Sequence, residues 1–221
     1  MYQHWIKRAV DLTLGLMALV VSVPVIVLVG AVIRTIMGKP VLFRQQRPGV
    51  DGRSFTCLKF RSMAATRNAQ GQLLSDRERM VPLGTWLRRT SLDELPQLWN
   101  IVMGDLSFIG PRPLLTEYLP YYTPEERRRH SVLPGLTGWA QIHGRNTLGF
   151  DERLKMDVWY VDHLSWKLDL RILLATIRIV LSARGTDLVS YPPLHEQRRF
   201  RLQFESLDPQ SRSQSEATPH E

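Results

Sequence analysis

The chain has 221 residues, enough for one well-buried domain with a small appendage. A formal net charge of +8 and a pI near 10.1 imply an anionic partner: nucleic acid, a phosphorylated substrate or an acidic membrane surface. Its one cysteine, Cys57, excludes an internal disulfide and a Cys-x-x-Cys metal knuckle, and fits a reducing compartment.

Basic residues recur beside apolar segments, as Lys7 and Arg8, Arg34 and Lys39, then Arg44 and Arg47, which favours a membrane over nucleic acid. Leu12 to Ile33 carries no charge. At about 1.5 Å per residue it is long enough for a bilayer core of about 30 Å. Pro24 near its middle removes an amide donor, and both flanks are basic, whereas the positive-inside rule wants such flanks on the cytoplasmic side. A re-entrant helix that breaks near Pro24 and returns both ends to one face satisfies both facts, with Ser22 bonding back to a freed carbonyl. Residues 1–38 form this membrane unit.

Val41 to Phe43 and Ser54 to Arg61 read as a β-hairpin around Arg47-Pro48-Gly49 and Asp51-Gly52. In the second strand Lys59 and Arg61 share a face, so both are candidates to meet phosphate. Ala64 to Arg79 is polar and reads as a surface loop. From Leu87 to Pro113 the chain packs adjacent carboxylates, arginines and glycine-bounded turns into a short span. Ser91 and Glu94 have capping-box spacing, which places Asp93 and Glu94 at a helix start. Neighbouring helical side chains diverge by about 100°, so one carboxylate can face a reacting phosphorus while the other holds a cation. Arg88, Arg89 and Arg112, the last in a stiff Pro111-Arg112-Pro113 step, supply guanidinium forks for phosphate oxygens. A plain capping box with surface salt bridges is the alternative.

Thr123 and Pro124 mark a helix start, and Arg127, Arg128, Arg129 and His130 close that helix in solvent. Pro134 to Gly138 is a turn cluster, Trp139 to Ile142 is strand-like, and Asp151 can cap a helix to about His163. Leu168 to Ala183 reads as an amphipathic helix in the membrane interface, with Trp159 and Trp166 as headgroup-level anchors. The polar segment 191–221 is a tail that is partly disordered.

The span Leu87 to Pro113, with Phe60-Arg61-Ser62-Met63 before it and GLTGWAQIHGRN after it, resembles the catalytic domain of the bacterial sugar transferases. These are the monotopic phosphoglycosyl transferases, and the similarity runs from about Lys7 to about Asp187. The resemblance implies an α+β fold: a re-entrant membrane helix hairpin, a small β-hairpin and amphipathic interfacial helices around one catalytic domain, 39–190. It implies a minimal form lacking the extra spans of longer members, sited on the cytoplasmic face of the bacterial inner membrane. The reaction it implies moves a sugar-1-phosphate from a UDP-sugar to undecaprenyl phosphate with release of UMP. That is the first membrane step of polysaccharide or glycoconjugate assembly. Asp93 would be the nucleophile of an aspartyl-phosphosugar intermediate, and Glu94 with Asp93 would hold Mg²⁺. Lys59, Arg61, Arg88, Arg112, Arg145 and Asp157 would contact substrate. Family members usually carry Ser directly before the helix-breaking Pro; here Val23 stands there and Ser22 one place earlier. Which sugar is carried is not legible, and a homodimer is open. A nucleic-acid module and a non-catalytic membrane scaffold stay as rivals, although the first gives Asp93 and Glu94 no role.

Overall fold

The computed structural model describes residues 2–144, 148–181 and 193–198, and over them the chain is α+β. The longest element, α1, is a 30-residue helix, Lys7–Ile36, that keeps the helical pattern through Pro24. A proline withdraws a single donor, and the residues on both sides keep the helical pattern. Ser22 makes no side-chain hydrogen bond to a carbonyl among the described residues. One stripe of α1, comprising Lys7, Asp11, Gly15, Val29 and Ile33, is buried, while Val20, Val21, Val27 and Leu28 face outward.

Each end of that stripe is fastened to the same folded body. Lys7 Nζ meets Asp169 Oδ2 at 2.6 Å, and Asp11 Oδ1 accepts from the Phe108 amide at 3.1 Å. Arg8 donates to the Ile101 and Val102 carbonyls at 2.6 and 2.8 Å, satisfying the end of α4 (Gln97–Met103). Farther along, Val29 and Ile33 pack with Phe60 and Leu87.

An antiparallel hairpin follows, β1 (Leu42–Pro48) and β2 (Ser54–Phe60), in the register Phe43↔Lys59 to Pro48↔Ser54. Here β1 is longer than its sequence predicts: Arg47 and Pro48, read as turn, form its last rungs. A proline is tolerated at the end of an edge strand. Asn100 seals the other edge, donating from Nδ2 to the Thr56 carbonyl at 2.8 Å and accepting from the Leu58 amide at 3.1 Å.

Beyond the hairpin, α2 (Asp76–Arg79) gives the polar loop a short helix capped by Ser75 and Glu78, and α3 is Pro82–Arg89. A parallel pair, β3 (Ser107–Ile109) with β4 (Gly135–Thr137), lies where the sequence reads a turn cluster. A Cβ on Gly135 would stand 2.1 Å from the Gly110 nitrogen, so this close approach needs glycine. Between them, α5 (Pro124–Arg127) starts at Thr123 as the sequence predicts. The strand-like Trp139 to Ile142 is instead helix α6, Trp139–His143. Helix α7, Phe150–Asp162, begins after Gly149, leaving Asp151 in its first turn, and α8 is Trp166–Leu181. Leu194, grouped with the tail in the sequence, is fully buried among Leu114, Tyr118 and Leu154. Most of the tail lies outside the described residues, as does Arg145.

Candidate active site

The helical turn Leu92–Glu94 connects α3 to α4 and carries both acids. The expected capping box is absent: Ser91 adopts φ 57°, makes no side-chain cap, and hands Glu94 to other partners. A serine held at positive φ is a strained position, and here it rotates the two carboxylates into the body of the molecule. Glu94 Oε1 accepts from Lys59 Nζ at 2.6 Å and from Arg112 Nη2 at 2.8 Å. Burial opposes the charge on Glu94, but Arg112 and Lys59 outweigh it and hold the carboxyl well below its ordinary range. Glu94 in turn raises the Arg112 guanidinium.

Asp93 differs from its neighbour. It is 7 % exposed and makes no hydrogen bond among the described residues. Burial first, and the Glu94 charge second, push its carboxyl up to about 6, against the pull of Lys59, Arg88 and Arg112. Two adjacent carboxylates thus have separated affinities for protons, one firmly ionised and one near the working pH. One turn on, Gln97 is 3 % exposed and its Nε2 has no partner among the described residues.

Arg88 reaches the site on α3, with Nε donating to Ser62 Oγ at 3.0 Å. Gly84 makes that approach possible, because a Cβ there would lie 1.7 Å from the Ser62 carbonyl oxygen. Gly84→Ala should therefore lower stability by about 1–3 kcal/mol and displace Arg88. Thermal melting and turnover read together check this, and a variant that keeps both removes Gly84 from the site's support.

Of the residues picked out in the sequence, Lys59, Arg88, Asp93, Glu94 and Arg112 converge. Arg61 does not join them: it donates to the Met37, Gly38 and Lys39 carbonyls and so ties down the end of α1. Strand alternation would pair it with Lys59, but β2 ends at Phe60 and releases it. Asp157 is not an accessible contact either. Its Oδ2 accepts from Arg129 Nη2 at 2.7 Å and from Nε at 3.1 Å, with both side chains 1 % exposed. Arg129, read in the sequence as a solvated helix-end charge, also donates to the Arg112 carbonyl at 2.6 Å and so braces the Pro111–Pro113 step from behind. Sequence reasoning missed it because the pairing spans distant segments; the apolar neighbours of Asp157 were the available signal. His143 bonds the Trp139 carbonyl through Nδ1 at 2.9 Å and lies tilted against the Trp139 ring, away from the acids' contacts.

Two carboxylates facing a surplus of cations, one acid free and desolvated, can perform nucleophilic attack on a phosphorylated substrate. Comparison with known proteins gives the same direction. The model of the family described as bacterial sugar transferase matches residues 2–183. An uncharacterized sugar transferase, EpsL, of Bacillus subtilis is 49 % identical over 180 residues, covering 81 % of this chain and 89 % of that protein. The undecaprenyl-phosphate galactose phosphotransferase of Salmonella typhimurium is 34 % identical over 201 residues, 82 % of this chain and 42 % of its own length. The UDP-glucose:undecaprenyl-phosphate glucose-1-phosphate transferase of Escherichia coli is 36 % identical over 182 residues, 78 % of this chain and 39 % of its own. The chain thus spans about two fifths of those two relatives and nearly all of EpsL. With a family model matching most of its length, the chain belongs to the bacterial sugar transferases and is a transferase enzyme.

Proposed function

We propose that the protein transfers a sugar-1-phosphate from a UDP-sugar to undecaprenyl phosphate, releasing UMP, in two steps through a phosphosugar ester of Asp93. The observation that carries this reading is the pairing of a desolvated, unbonded Asp93 with a Glu94 clamped by Lys59 and Arg112. In-line phosphoryl transfer needs an ionised nucleophile and fixed positive charge around the phosphates, and these side chains supply both. Asp93 attacks the sugar-bearing phosphorus and UMP leaves; an oxygen of undecaprenyl phosphate then attacks that phosphorus and frees Asp93. Lys59, Arg88 and Arg112 hold the phosphate oxygens, and the braced backbone of Arg112 keeps its fork aimed.

Mg²⁺ fits this donor set. Glu94 and Asp93 are hard oxygen donors, and no group of three or more His, Cys, Asp or Glu residues stands ready for a metal among the described residues. A cation that keeps water and takes substrate phosphates for its remaining positions suits two carboxylates. Bound there, Mg²⁺ would neutralise diphosphate charge and relieve the burial penalty on Asp93.

The apolar helix α1 supports placement at a membrane. It is the one described helix long and apolar enough to cross a bilayer, yet Lys7 and Arg8 at one end and Val29 and Ile33 at the other pack on the same body. A domain on one face favours both ends on that face, the cytoplasmic one by the positive-inside rule, with the outward apolar side in lipid. Trp166, Leu170, Leu174 and Ile177 form an exposed apolar row on α8, which suits an interfacial helix. Single cysteines at Gln3 and Lys39, in a Cys57→Ser background, should both escape a membrane-impermeant thiol reagent in intact cells. Labelling of only one would mean that the segment spans.

The reaction is tested by incubating the membrane-reconstituted protein with Mg²⁺, undecaprenyl phosphate and a panel of UDP-sugars. One sugar should give UMP together with a lipid-linked sugar phosphate. UMP absent from every pair would overturn the reading.

A further inference from the structure

Arg47 is a half-buried cation that neither motif nor carboxylate pairing explains among the described residues. In the hairpin register Phe43 stands opposite Lys59, Gln45 opposite Cys57, and Arg47 opposite Phe55. Directly opposed residues project to the same side of a sheet, so Arg47 shares the side of Lys59. That side is the inner one, where Phe55 and Cys57 pack with Leu98 and Ile101. The Arg47 side chain is half-buried, and Nη2 donates to Gln45 Oε1 at 2.6 Å. No carboxylate pairs with it among the described residues, whereas Lys59 and Arg112 already share Glu94. Burial lowers its affinity for its proton, and the nearby Arg112 charge acts in the same direction. Lys59, Arg88 and Arg112 act on Asp93 and Glu94, and Arg47, beside Arg112, adds a further cation with no carboxylate partner among the described residues, an excess of positive charge that an anionic ligand would balance.

The two ends of the hairpin are not equivalent. At the Lys59 end the chain comes directly off α1, and Arg61 binds the carbonyls that close that helix. Arg47 lies at the other end, four residues from Phe43 and so roughly 13 Å farther along the strand. The end joined to the apolar helix suits a phosphate carried on a lipid, which leaves the far end to a soluble nucleotide.

We propose that Arg47 binds the phosphate of the donor that departs with the nucleoside, leaving Lys59 to the phosphate being transferred. This deepens the two-step reading above and rests on it. In the first step an Asp93 carboxylate oxygen forms a bond to the sugar-bearing phosphorus. The bond from that phosphorus to the bridging oxygen breaks, and the electron pair leaves on the nucleoside monophosphate, whose new negative charge the Arg47 fork stabilises. No proton, oxidant or reductant is consumed. In the second step the nucleotide has gone and Arg47 has no part.

The test measures the half-reactions separately by rapid quench on wild type, Arg47→Gln and Arg47→Lys. With UDP-sugar and Mg²⁺ alone, Arg47→Gln should form the protein adduct and release UMP about tenfold to a hundredfold more slowly, the range expected for a charge-assisted phosphate contact. Once formed, its adduct should discharge to undecaprenyl phosphate at the wild-type rate. UMP should inhibit Arg47→Gln more weakly than wild type, with inorganic phosphate little affected, and Arg47→Lys should fall between. Both rates come from one sample, so a smaller folded fraction cannot create the split. Wild-type adduct formation by Arg47→Gln, or equal slowing of both steps, overturns the assignment. A wild-type enzyme that turns over without any adduct instead overturns the two-step reading itself.

Discussion

Asp93→Asn should show no added mass after rapid quench with UDP-sugar and Mg²⁺, under conditions in which the wild-type chain gains one sugar phosphate on Asp93. Turnover should fall by about three orders of magnitude or more, since the amide keeps the shape of the side chain but cannot act as the ionised nucleophile. Glu94→Gln should retain a measurable adduct and chiefly weaken the metal dependence. An adduct mapped to Glu94 would reverse the two roles.

The same substitution carries an opposite effect on the fold. Burial raises Asp93 from an ordinary 3.8 to about 6, so the folded state holds its proton more tightly than the unfolded chain does. The stabilising contribution of that proton is complete below about pH 4 and is lost as pH rises through 6. At 1.36 kcal/mol per unit, ionised Asp93 destabilises the fold by up to about 3 kcal/mol. Asp93→Asn should accordingly melt above wild type at pH 7.5 in the presence of a chelator, and the gap should close toward pH 4. Wild-type activity should fall as pH drops below about 6. A variant that melts lower at every pH would mean that Asp93 is a structural acceptor rather than a desolvated nucleophile.

How much of this could be read in the sequence depends on how far apart the partners lie. Asp93, Glu94, Arg88 and Arg112 fall within one short span, so their convergence needs only a turn and a helix, and the sequence predicts it. Lys59 joins by strand alternation, a period-two rule that holds inside β2 and fails one residue past its end, where Arg61 turns to the carbonyls of α1. Ser91 misleads because a capping box assumes ordinary backbone angles, and the site holds this serine at φ 57°. Arg47 is hidden by Pro48, a turn residue that here closes a strand. Asp157 and Arg129 are 28 residues apart, and nothing local marks either as the other's partner.

That pair gives the largest expected effect on the fold. Arg129 and Asp157 are each 1 % exposed, and removing one leaves the other as a buried, uncompensated charge. Arg129→Met should therefore cost about 3–5 kcal/mol of stability, while Arg129→Met with Asp157→Leu should recover most of it, because a buried ion pair can be replaced by apolar groups at little net cost. Activity should not follow stability. The double variant still lacks the donor that holds the Arg112 carbonyl at 2.6 Å, so the Pro111–Pro113 step loosens and the Arg112 fork loses its aim on Glu94 and phosphate. Denaturant unfolding and turnover on the four proteins of the cycle separate the two roles. Recovery of both would make the pair purely structural, whereas recovery of the fold with turnover still at least about tenfold down, the smallest loss expected when one charge-assisted phosphate contact goes, makes Arg129 the residue that positions Arg112.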